Sequence, residues 1–94
     1  TVENRMLLPI KPTPSSLPVR IQLNISSSGY VRIAIFDISG REMKIIADRK
    51  FSEGKHTINW NSQDNQGNTV DAGVYVCSLE SGNRKEVRKF VIVK

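Results

Sequence analysis

A few side chains in this chain are of types whose spacing could support chemistry. Asp64, Asn65, Asn68 and Asp71 crowd into one stretch around Gly67, and calcium gathers about six to eight oxygens from carboxylates, amides and backbone carbonyls. The spacing is not that of an EF-hand, and no bidentate glutamate follows at the required offset. Short polar side chains that accept from backbone amides just ahead of them account for the same composition, so the stretch reads as a braced turn, with calcium as the rival. His56 is the lone histidine and Cys77 the lone cysteine. An imidazole base needs a nucleophile within reach, yet no serine or cysteine stands in a nucleophile-elbow pattern, and His56 alternates with Ile58 and Trp60 as on one strand face. Cys77 has the parity of Tyr75 and reads as a small buried apolar group; a reactive thiol would need a nearby base or positive charge. Trp60 could stack on a sugar ring if it lay open, but its register with Ile58 assigns it to a core. No catalytic residue, metal or cofactor is expected, and the chain reads as something other than an enzyme.

The elements that must position these residues are strands. At 94 residues the chain fits one domain that buries roughly 60 to 65% of its unfolded surface. Its apolar residues are dominated by Val and Ile, whose branched Cβ favours extended backbone. Apolar and polar residues alternate through Pro18–Ile25 and Gly54–Trp60, and further strand runs read at Tyr30–Asp37, Val74–Leu79 and Glu86–Lys94; period two puts alternate side chains on opposite faces. Glu42–Phe51 is less regular, and Met43 and Ile46 break its alternation as a β-bulge would. Glycine-containing turns separate the runs at Ser26–Gly29, Ile38–Arg41, Ser62–Asn68 and Ser81–Asn83. With Arg5–Ile10 as a further short strand the total is about seven, which predicts an all-β antiparallel sandwich. Residues 1–16, broken by Pro9, Pro12 and Pro14, read as a linker with a possible first edge strand, and residues 17–94 as the sandwich.

Net charge is +5, and it concentrates at the end, where Arg84, Lys85, Arg88, Lys89 and Lys94 face Glu86 alone. Nucleic-acid binding without sequence readout needs a continuous basic groove, commonly with aromatic faces for bases to stack on. The aromatic residues here fall on alternating strand runs instead, so nucleic acid is not an expected partner. One cysteine permits no internal disulfide. No run reaches the roughly 20 apolar residues of a membrane helix, so membrane insertion is not expected. Thr1 in place of a starting methionine suggests a piece of a longer protein.

The runs Tyr30–Arg41, Gly54, His56–Trp60, Asp64 with Gly67, Ala72–Tyr75 and Lys89–Lys94 resemble the C-terminal sorting domains of type IX secretion substrates. They are also similar to the immunoglobulin-like domain of the flagellar hook-capping protein. The likeness covers about residues 12 to 94 and implies an immunoglobulin-like sandwich without catalysis. It further implies the C-terminal domain of a larger protein, sent through the periplasm and an outer-membrane secretion system to the exterior or the cell surface. Implied partners are the outer-membrane translocon, a sortase-like peptidase cutting in or before Thr1 to Ser16, and the upstream domain of the same protein. The positions that match the family's elements are Gly73 and Tyr75, and in the last strand Lys89, Phe90, Val91, Ile92, Val93 and Lys94, expected to carry translocon recognition. A final apolar strand flanked by cations suits strand addition to a receptor. Two other readings compete: an immunoglobulin-like structural module of the hook-capping type, and an accessory carbohydrate-binding module.

Overall fold

The computed structural model describes Ile10 and residues 19–93. Six strands form two antiparallel sheets: β1 Val19–Ile25, β2 Gly29–Asp37, β3 Glu42–Phe51, β4 Gly54–Trp60, β5 Gly73–Ser81 and β6 Arg84–Ile92. One sheet is the pair β1-β4; the other runs β3-β2-β5-β6. The all-β class stands, and six of the roughly seven expected strands lie among the described residues. The candidate strand Arg5–Ile10 lies outside them except for Ile10, which is not in a strand but is buried in the core. The last strand also starts earlier than expected, at Arg84, and closes at Ile92 with Val93 beyond it.

Period-two patterning accounts for most of this directly. Val19, Ile21, Leu23 and Ile25 are buried while Arg20, Gln22 and Asn24 are exposed. β1 pairs with β4 along its whole length, from Val19↔Trp60 to Ile25↔Gly54, so a one-residue slip would turn every buried side chain of β1 to water. Against β2, the register of β3 runs Ile33↔Ala47, Ala34↔Ile45, Ile35↔Lys44 and Phe36↔Glu42. It skips Ile46 and Met43, the two residues whose parity is wrong in the sequence. Each skip is a bulge, and both side chains pack against the core.

A two-stranded sheet is too narrow to cover a four-stranded one. Ile10 and Val70, outside the strands, complete the core cluster. Val31, Ile33 and Ile35 of β2 and Cys77 and Leu79 of β5 supply the inner face of the wide sheet, each large aliphatic contributing about 1.5 to 3 kcal/mol by burial. Trp60, Tyr75 and Phe90 join the two sheets: the indole meets the Tyr75 and Phe90 rings edge-on, both at 6.3 Å between centroids.

Candidate recognition surface

Each side chain with chemical potential has a structural employment. Trp60 is 2% exposed, and its Nε1 donates to the Gln63 carbonyl at 2.9 Å, so no open face remains for a sugar ring. His56 Nε2 lies 2.8 Å from the Ser52 carbonyl, and its ring stands edge-on to Phe51 at 5.1 Å. Arg49 covers the same Phe51 ring at 3.9 Å. Cys77 is fully buried; burial, only slightly offset by the Arg88 charge, pushes its thiol up to about 12, so no thiolate is present to react near neutral pH. Among the described residues, no group of three histidine, cysteine or acidic side chains is placed to hold a metal ion.

The loop around Asp64 is the braced turn that its composition predicted. Asp64 Oδ1 accepts from the amides of Gln66 and Asn68, both at 2.9 Å. The Asp64 amide donates to the Asn68 carbonyl, and the Gly67 amide donates back to the Asp64 carbonyl. The same four bonds recur at the β2–β3 corner. There Asp37 Oδ1 accepts from the Ser39 and Arg41 amides, the Asp37 amide donates to Arg41 and the Gly40 amide to Asp37. Gly40 and Gly67 hold the matching position at φ 91° and 84°, left-handed backbone that costs a Cβ-bearing residue roughly 1 to 2 kcal/mol. The two turns lie side by side, tied by the Asn65 amide donating to the Met43 carbonyl at 2.9 Å. This internal repeat of an Asp-x-x-Gly unit was missed in the sequence, although the spacing Asp37–Gly40 and Asp64–Gly67 was there to find it. At Asp37 the Ser39 hydroxyl, then the Arg41 amide, hold the carboxyl below its ordinary 3.8.

The positions taken from the resemblance separate into two sets. Tyr75 is 6% exposed, and its hydroxyl donates to the Asp71 carbonyl at 2.6 Å; burial first, then the Asp71 and Asp37 charges, raise its pKa. Phe90 and Ile92 are buried beside it. Gly73 has φ 154° with open space where a Cβ would point, so its constraint is backbone conformation and not crowding. These four residues shape the fold. Lys89 is exposed, Val91 half-buried and Val93 exposed, and they form the outward row of the terminal strand and its extension. Lys94 lies outside the described residues.

That outward row continues across the sheet. Val76 pairs with Lys89, Ser78 with Val87 and Val74 with Val91; Phe36 and Ala34 lie opposite Val76 and Ser78 on β2. An apolar stripe therefore crosses the outer face of the wide sheet, where solvent-facing polar residues are the usual occupants. Sequence reasoning passed over it, but the signal exists: Val74 to Cys77 and Ala34 to Phe36 are apolar at both parities.

Residues 10–93 match the family described as secretion system C-terminal sorting domain. The chain belongs to that family, the type IX sorting domains. Among solved structures, the sorting domain is similar to PorZ, an essential bacterial surface component of the type IX secretion system of Porphyromonas gingivalis, with 19% identity and a TM-score of 0.65 over 94% of this chain and 11% of that one. It is also similar to FlgD from P. aeruginosa, 16% identical with a TM-score of 0.65, over 96% of this chain and 74% of that one. At such identities the likeness is one of fold, and it agrees with the hook-capping resemblance seen in the sequence. The sorting domain spans about a tenth of the PorZ chain. No curated protein matches the sequence. A domain of this family is a sorting signal, so the protein that carries it is a secreted one.

Proposed function

We propose that this domain is the export address of a larger protein, presenting its terminal strand to an outer-membrane translocon and delivering its upstream cargo across the periplasm to the exterior or the cell surface. The family match over nearly the whole described chain is the observation that carries the reading. The domain contributes recognition and no catalysis; removal by a sortase-like peptidase cutting in or before Thr1 to Ser16 would then free the cargo. The immunoglobulin-like type is supported by the sheet order, β3-β2-β5-β6 facing β1-β4. It is supported too by the Tyr75 hydroxyl bonded to backbone four residues upstream, the tyrosine corner of such sandwiches.

Recognition by the terminal strand needs side chains that a receptor can reach. Lys89, Val91 and Val93 meet that condition, while Gly73, Tyr75, Phe90 and Ile92 act by holding the strand in place; Lys94 follows Val93 in the sequence. Deleting Lys89–Lys94 from the parent protein should leave the upstream domain active but retained in the periplasm. Because that deletion also removes two core residues, the paired variant Lys89→Glu with Val93→Asp, which spares the core, is the sharper test. Cell fractionation showing normal export of both would overturn the proposal.

A further inference from the structure

The stripe on the outer face of the wide sheet points to a ligand class. Exposed large apolar side chains are few among the described residues, and three of them border this face: Ile38 at 71%, Val87 at 51% and Val93 at 42% exposure. Phe36, Ile38, Val76, Ser78 and Val87, with Lys85 at the lip, line a depression of about 360 Å³. The opposite outer face, on β1 and β4, carries Arg20, Gln22, Asn24, Lys55, Thr57 and Asn59. The narrow sheet's face is thus polar throughout while the wide sheet's carries an apolar stripe between charged margins, and a contiguous apolar patch with a polar rim marks a contact surface.

Charge narrows the occupant. On β6 the outward row reads Lys85, Val87, Lys89, so two ammonium groups bracket one apolar side chain. No ion pair is formed by either lysine among the described residues. Glu80, in register with Lys85, is the one carboxylate on the β5–β6 part of this face, and the carboxylate of Asp37 at the depression's edge is engaged by Ser39 and Arg41. On the β2–β3 part Arg32 is held by Glu42 and Asp48, so it is the β5–β6 margin that is left cationic. A second copy laid on it about a two-fold axis would set lysines against lysines. An anionic lipid surface gains only about 1 kcal/mol per lysine, and two lysines beside a recessed pocket suit an inserted side chain better than a flat headgroup layer.

We propose that this face binds an extended acidic protein segment, with carboxylates four residues apart and an aliphatic residue midway. Lys85 and Lys89 are separated by four strand residues, about 13 Å. An extended partner places its residues i and i+4 over the same span, and residue i+2 then points to the same side, into the depression beside Val87. The site shares Lys89 with the terminal-strand row, while Lys85, Val87 and the depression are its own, and it does not depend on the export reading.

The test uses the 94-residue chain and the capped heptapeptide Thr-Asp-Thr-Ile-Thr-Asp-Thr, followed by amide shifts in a two-dimensional NMR titration. Saturable shifts confined to Phe36, Val76, Ser78, Lys85, Val87 and Lys89 and their chain neighbours, with a Kd on the order of millimolar or tighter, are expected. Lys85→Glu combined with Lys89→Glu should weaken binding at least about tenfold, as should Val87→Asp, with unchanged thermal midpoints showing that the fold survives. Absence of saturable shifts, or equal binding of the peptide with lysine in place of aspartate, would overturn the proposal. So would co-sedimentation with phosphatidylglycerol vesicles without peptide binding, or self-association abolished by Val87→Asp. Failure here leaves the export assay untouched, and normal export of the terminal-strand variants leaves this titration standing.

Discussion

Individual residues in this domain carry constraints that titration and substitution expose. Asp37 has a depressed pKa because its charged form accepts from the Ser39 hydroxyl and the Arg41 amide. A depressed carboxyl stabilises the fold fully above its ordinary 3.8 and loses that contribution as pH falls through the lower folded value. Thermal midpoints of the wild type and Asp37→Asn should therefore differ near pH 6 and converge towards about pH 2; a constant difference across that range would contradict the assignment. Ser62 presents the opposite case, a residue at odds with its position. It has φ 62°, is buried, and its hydroxyl has no hydrogen-bond partner. Ser62→Gly relieves left-handed strain and removes the orphaned group, for an expected gain of about 1 kcal/mol. Urea unfolding at a lower midpoint than wild type would refute this.

At the scale of elements, β6 shows how one strand divides between architecture and contact. Its inward residues Phe90 and Ile92 close the aromatic cluster around Trp60, whereas Lys89 stands in water. Phe90→Ala should cost about 3 to 5 kcal/mol, and Lys89→Ala less than about 0.5 kcal/mol, in denaturant unfolding. Comparable losses from the two would mean that the strand does not face as described. The bulges of β3 were legible in the sequence, because Met43 and Ile46 are apolar residues at the wrong parity and an extra backbone residue is the means of turning such a side chain inward. The twin Asp-x-x-Gly turns were legible only in part. Each turn's composition announced a turn, but their adjacency depends on the Asn65–Met43 bond, which joins segments far apart along the chain.

For the molecule as a whole, unequal sheets and unequal faces set what it can do. The narrow sheet presents polar residues and the wide sheet an apolar stripe with a cationic margin. A partner bound through that margin should be displaced as salt rises, since exposed charges are screened within about 8 Å at physiological ionic strength. Peptide affinity in the titration should accordingly fall between low and moderate salt; an affinity indifferent to salt would leave the lysines without a part in it.

Alternation settled the strand class and the buried indole, and glycine with short polar residues the turns, because period-two patterning fixes which side chains must leave water before any partner strand is known. The family likeness was legible for the same reason, resting on strand and turn residues read in order. Tertiary structure decided the rest. Which of two apolar parities on β5 faces the core, and which residues of the matched terminal run stay within a partner's reach, depend on which sheet lies opposite, and hydrophobicity at a single position carries no direction. The physical divide is between contacts set by neighbours along the chain and contacts set by packing two sheets of different width.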